Sequence, residues 1–96
     1  MDALVDSGSD ATIVPLRHLY AIGARKIGQG RMRGIVGLGQ EVDLYSVFVR
    51  FGNREQRTRV VGHPSSQEVI LGRDILNQYF VALNGPANTT EVHVEA

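Results

Sequence analysis

The chain contains no cysteine. That excludes a disulfide framework and any thiolate zinc site, and it fits a reducing compartment without demanding one. No apolar run approaches the roughly 20 residues of a membrane-spanning helix. The N-terminus lacks the basic-then-apolar pattern of a secretory signal. These absences leave the compartment open and favour the cytoplasm, so Asn88-Thr89-Thr90 reads as a polar turn and not as a glycosylated one. His18, His63 and His93 have no metal-ligand spacing, so neither a metal nor a cofactor is expected. Gly37-Leu38-Gly39-Gln40-Glu41-Val42 lacks the third glycine of a dinucleotide fingerprint. The residues around Ser9 do not make a Gly-x-Ser-x-Gly elbow.

Net charge is absent as well, because ten basic and ten acidic residues cancel. Their distribution is uneven. Residues 17–59 hold nine of the basic residues against Glu41, Asp43 and Glu55, a net of +6, and the rest of the chain carries −6. Few aromatics interleave with Arg50, Arg54, Arg57 and Arg59, so these read as the solvated face of a hairpin and no nucleic-acid partner is expected. The 96 residues suffice for one domain, residues 1–96. A domain of this size buries only roughly 60–65% of its extended surface and gains from partner contacts.

What is present is a series of short apolar runs broken by glycine. Ala3 to Val5 reads as a buried strand that ends at Asp6, and Ser7-Gly8-Ser9-Asp10 as a turn. Ala11 to Val14 is apolar and rich in β-branched residues. Pro15 opens a short helix through Leu19 and Ile22, with Gly23 just past its end. Residues 24–33 form a strand. Gly34-Ile35-Val36-Gly37-Leu38-Gly39 is an apolar loop tip with a permissive backbone. Glu41 to Phe51 alternates as a strand, Gly52-Asn53 turns, and Gln56 to Val61 returns, giving a hairpin. Residues 62–66 form a loop and Glu68 to Leu71 a strand. Asp74 to Tyr79 is helical, Phe80 to Leu83 a strand, 84–86 a turn, and Glu91 to Glu95 a last strand. The sum is a mostly β domain, a small closed barrel or sandwich with one or two short helices.

Two stretches carry the chemistry. In Ala3-Leu4-Val5-Asp6-Ser7-Gly8-Ser9-Asp10, an acid directly follows a buried strand. Backbone N–H groups of the turn can hold such a carboxylate ionised beside a water molecule. In Ile70-Leu71-Gly72-Arg73-Asp74-Ile75-Leu76, a second apolar strand reaches a glycine and then a charge. An Arg73–Asp10 ion pair would tie the two turns together. Alone, each stretch is an ordinary strand and turn. Together, with the glycine-rich tip between them, they resemble the retropepsin-like aspartic proteases.

The resemblance covers nearly the whole chain. Leu16 to Gly23 is similar to the short segment after the catalytic motif in some members, and Val81 to Gly85 with Val92 to Val94 to their closing hairpin. The fold implied is the closed β-barrel of the retropepsin-like acid protease type. Asp6 would be catalytic, Ser7 would brace the two active-site loops of a dimer, and Gly8 would shape the loop. Asp10 would pair with Arg73 and help bind the substrate backbone. Gly34, Ile35, Val36, Gly37 and Leu38 would form the flap over the substrate. Members carry strands ahead of the catalytic motif, so the N-terminal strands are expected to be missing from this chain.

The activity implied is peptide-bond hydrolysis by two aspartates sharing one proton. The chain has one Asp-Ser-Gly, and Asp2, Asp43 and Asp74 lack the hydroxyl–glycine pair that would make another. A two-fold homodimer, with Asp6 from each copy at the axis, would supply the second carboxylate. The partners expected are a polypeptide substrate and a second copy of the chain. The alternative is a non-catalytic dimerisation or peptide-binding module on the same fold.

Overall fold

The computed structural model describes residues 2–5, 10–33, 39–51, 53–77 and 89–96. Among these residues, seven strands and two short helices follow one another as β1 (Asp2–Val5), β2 (Ile13–Pro15), α1 (Leu16–Ile22), β3 (Arg25–Arg33), β4 (Gly39–Phe51), β5 (Arg54–His63), β6 (Val69–Leu71), α2 (Arg73–Leu76) and β7 (Thr89–Glu95). The strands form one sheet in the order β3-β4-β5-β2-β6-β1-β7, and β7 also pairs with β4. That last pairing closes β4, β5, β2, β6, β1 and β7 into a ring, the barrel-like architecture expected from the short strands.

The length of β4 makes the closure. One of its edges pairs with β5 from Asp43↔Gly62 to Phe51↔Arg54. Its other edge is shared: β3 takes the first half, from Arg33↔Gly39 to Arg25↔Ser46, and β7 takes the second, from Phe51↔Val92 to Phe48↔Glu95. The β3–β4 register slips between Lys26 and Gly28, which leaves Ile27 as the extra, half-exposed residue of a bulge.

Side-chain alternation puts apolar residues on both faces of this sheet. Tyr45, Val47 and Val49 of β4 pack with Val60, Val14, Val69, Leu71, Val92 and Val94 into the main core. Leu19 of α1, fully buried, covers that core with Leu16 and Ile22 beside it. Fully burying an aliphatic side chain of this kind contributes roughly 1.5–3 kcal/mol. Neighbouring residues point the other way: Ile13, Val42 and Val61, flanked by Ala11, Leu44 and Ile70, form a second, smaller cluster.

Most elements lie where the apolar pattern puts them, but several boundaries differ: β2 starts at Ile13 and not Ala11, β4 at Gly39 and not Glu41, and β5 at Arg54 and not Gln56. The loop expected at Gly62 and His63 is instead the end of β5. Gly62 is there because α1 packs onto it: a Cβ would meet Tyr45, Leu16 and Leu19 side-chain carbons at 2.8 to 3.0 Å. The second helix begins at Arg73, one residue early, and ends at Leu76. The last strand begins at Thr89 instead of Glu91, because β1 gives its first residues backbone partners. The expected strand at Phe80 to Leu83 and the turn at 84–86 lie outside the described residues. Pro15 does precede the first helix, and Gly23 ends it with φ 70°, its N–H returning to the last carbonyls.

Candidate active site

Strand β1 runs parallel to β6, with Ala3 opposite Val69, Leu4 opposite Ile70 and Val5 opposite Leu71. Two parallel strands in register end side by side. The chain therefore leaves Val5 and Leu71 at the same edge of the sheet. Asp6, Ser7 and Gly8 themselves lie outside the described residues, as do Gly34, Ile35, Val36, Gly37 and Leu38.

Two links join the segment after the first turn to the helix after the second. The first is the pair singled out in the sequence: the Arg73 guanidinium bonds the Asp10 carboxylate. It lies at the surface, with the two side chains 54% and 81% exposed. The second link was not anticipated. Thr12 is a fully buried polar residue. Its hydroxyl donates to Asp74 Oδ1 at 2.8 Å, and its backbone N–H points to Asp74 Oδ2 at 3.3 Å. The same hydroxyl accepts the Gly72 N–H at 3.2 Å. Asp74 Oδ1 also accepts the Ile75 N–H at 2.8 Å, at the start of α2. Thr12 thus uses its hydroxyl as both donor and acceptor, and Asp74 satisfies backbone on two elements.

Gly72 stands where the two segments touch. A Cβ on it would fall 2.4 Å from the Ala11 carbonyl oxygen and 2.5 Å from the carbonyl carbon. Both are backbone atoms and cannot swing aside. Its φ of −95° is ordinary, so the requirement is space and not conformation. Nearby, the Val61 N–H donates to the Thr12 carbonyl at 2.9 Å, which ties the same segment to β5. The second apolar cluster, with Ala11, Ile13 and Ile70, lies on the same two segments, against β4 and β5.

Thr12 and Asp74 were legible as types but not as partners. Thr12 reads as one more β-branched residue of an apolar run, and Asp74 as a helix start. Their separation of 62 positions hides the bond between them. The only available signal was that both follow a charged member of the Asp10–Arg73 pair at close spacing. Among the described residues, no group of three or more His, Asp or Glu side chains is placed to hold a metal ion. Nor is any helix among them long and apolar enough to cross a membrane.

No curated protein matches the chain. Among solved structures it is similar to EIAV protease complexed with the inhibitor HBY-793, with 27% sequence identity and a TM-score of 0.66 over 79% of this chain and 73% of that one. A family model described as retroviral aspartyl protease matches residues 1–84, which include both the Asp6-Ser7-Gly8 turn and the Gly72-Arg73-Asp74 turn. This match establishes that the chain, with its closed sheet, belongs to the retroviral aspartyl protease family.

Proposed function

We propose that the protein is an aspartic endopeptidase that works as a homodimer, residues 1–96 acting as one domain. The observation that carries this reading is the meeting of the two motif strands. Val5, the residue before Asp6, is paired in register with Leu71, the residue before Gly72. The Thr12–Asp74 bonds then fix the segment leading into β2 against the start of α2. A catalytic carboxylate must be held to within a fraction of an ångström, and strand ends braced by buried hydrogen bonds provide such a support.

In this reading Asp6 from each copy contributes one carboxyl group of a dyad. Two carboxyl groups in contact share one proton, because both cannot ionise cheaply. The ionised member takes a proton from water as the water oxygen attacks the peptide carbonyl. The protonated member donates to the carbonyl oxygen where charge develops. Ser7 braces the two loops across the dimer and Gly8 shapes the turn. Asp10, held by Arg73, is offered to the substrate backbone. Gly34 to Leu38 close over an extended polypeptide as the flap, and the cluster around Ile13 and Ile70 gives apolar side chains of that polypeptide a surface. The family membership and the likeness to an inhibitor-bound protease support the assignment.

The test is cleavage of a peptide library with and without Asp6→Asn. The parent is expected to cleave, most strongly in acid to mildly acid solution, and to be blocked by pepstatin-like transition-state mimics. The variant is expected to fold, to dimerise and to be inactive. Equal cleavage by parent and variant overturns the reading. A parent that forms a dimer but cleaves nothing in the library indicates the non-catalytic module instead.

A further inference from the structure

The outer face of the β3–β4–β5 sheet carries a feature that peptide hydrolysis does not use. Ser46 lies near the middle of β4. Directly opposite it in register are Arg25 on β3 and Arg59 on β5. Residues opposite one another in an antiparallel pair share a face, so Arg25, Ser46 and Arg59 form one row. Two strand spacings, roughly 10 Å, separate the two arginine backbones, and long side chains can lean across that distance to Ser46. Arg57 is on the same face two residues along β5. Its Nη1 donates to Ser46 Oγ at 2.7 Å, and its guanidinium carbon lies 4.1 Å from the centre of the Phe48 ring.

These three arginines are exposed. None takes part in an ion pair among the described residues, where Asp43, Glu95, Asp10 and Glu91 pair instead with Lys26, Arg50, Arg73 and His93. Glu55 shares the face but stands opposite Arg50. Like charges on adjoining positions of one sheet face repel each other, and a folded sheet gains nothing from that arrangement alone. Arg57 is nonetheless held in place by the Phe48 ring and the serine. The serine oxygen accepts from Arg57, which leaves its O–H proton free to donate outward.

We propose that Arg25, Arg57 and Arg59 form, around the Ser46 hydroxyl, a binding site for a phosphate dianion, free or carried as a monoester. Guanidinium forks match the paired oxygens of a phosphate, and the hydroxyl provides a further donor at their centre. The arrangement favours a compact dianion over a nucleic-acid strand for two reasons. The three arginines occupy adjoining register positions around one serine instead of tracking a groove. The Phe48 face that could stack a base is already covered by Arg57.

The test is a titration of the isotope-labelled full chain with inorganic phosphate at constant, low ionic strength, followed by NMR at the arginine Nε–H groups and the Ser46 amide. A second arm uses a phosphoserine peptide with its unphosphorylated twin as control. Saturable shifts at Arg25, Arg57, Arg59 and Ser46 are expected, weakened about tenfold by Arg59→Ala, since a charge-assisted hydrogen bond is among the stronger ones. Arg57→Lys keeps the charge, loses the fork and is expected to weaken binding as well. Saturation by phosphate alone identifies a free-anion site, and saturation by the phosphopeptide but not its twin extends the site to monoesters. Shifts that chloride reproduces at equal ionic strength overturn the proposal. So does an unchanged titration in Arg59→Ala, or a single-stranded oligonucleotide that binds more tightly per phosphate than either probe.

Discussion

Asp10 and Asp74 both join the segment after the first turn to the region that begins at Arg73, but they do so in different surroundings. Asp10 meets Arg73 at the surface, where water and salt weaken the attraction. Asp74 meets a threonine that is fully buried, and the bonds there satisfy backbone N–H groups as well as side chains. An exposed pair contributes about 0–1 kcal/mol. Removing one partner of a buried network leaves donors and acceptors unmet, at roughly 1–3 kcal/mol each. The pair that stands out in the sequence by its charges is therefore the weaker brace. In the proposed function its value lies at the surface, where Asp10 is offered to the substrate backbone.

The largest effect tests how closely the two segments approach. Gly72→Ala forces a Cβ into the Ala11 backbone and is expected to destabilise the fold by roughly 3 kcal/mol or more, read by urea unfolding. A loss below about 1 kcal/mol would show that the segments separate easily and that the comparison overstates the brace. Thr12→Val keeps the shape and removes the hydroxyl. It leaves the Gly72 N–H and one bond to Asp74 unmet, and a loss of roughly 2–3 kcal/mol is expected. Thr12→Ser retains the hydroxyl and should recover most of that.

Asp10→Asn is expected to cost less than about 1 kcal/mol, with an effect that shrinks as salt is added. Should it prove as damaging as Thr12→Val, exposure would not be what separates the two links. The smallest effect is confined to alkaline solution. Burial, helped by a side-chain hydrogen bond with Tyr20 and by the nearby Asp43, raises the Tyr45 pKa above its ordinary value of 10.0. The folded state then holds this proton more tightly than the unfolded chain. Its contribution is complete below about pH 10 and is lost as pH rises through the higher folded value. Tyr45→Phe is expected to flatten that alkaline decline, measured as the slope of unfolding free energy against pH.

How far the fold was legible follows from the kind of signal each element gave. The β4–β5 hairpin was readable because Glu41 to Phe51 mostly alternates apolar with polar residues and a turn signal separates the strands. The first helix was readable from Pro15 and Gly23. Gly62 was misread, because a glycine that makes room for a helix and a glycine that makes a loop look alike in a sequence. The start of β7 was misread because its pairing partner, β1, is almost ninety positions away. Asp10 and Arg73 could be paired in advance by their opposite charges. Thr12 and Asp74 could not, since a buried threonine carries no mark that distinguishes it from a strand threonine.

The sequence by itself determined the apolar alternation, the punctuation by glycine and proline, and the order of two motifs around a glycine-rich tip. These are local properties, set by side-chain chemistry and backbone freedom within a few residues, and they were enough to suggest the family. Only the tertiary structure decided that β1 and β6 run parallel and in register. It also decided that β7 closes the ring on β4, that Thr12 bonds Asp74, and that Arg25, Arg57 and Arg59 share one face with Ser46. Each of these joins residues on different strands. Contacts between distant strands are fixed by which faces bury apolar surface together, and no stretch of chain read alone contains that information.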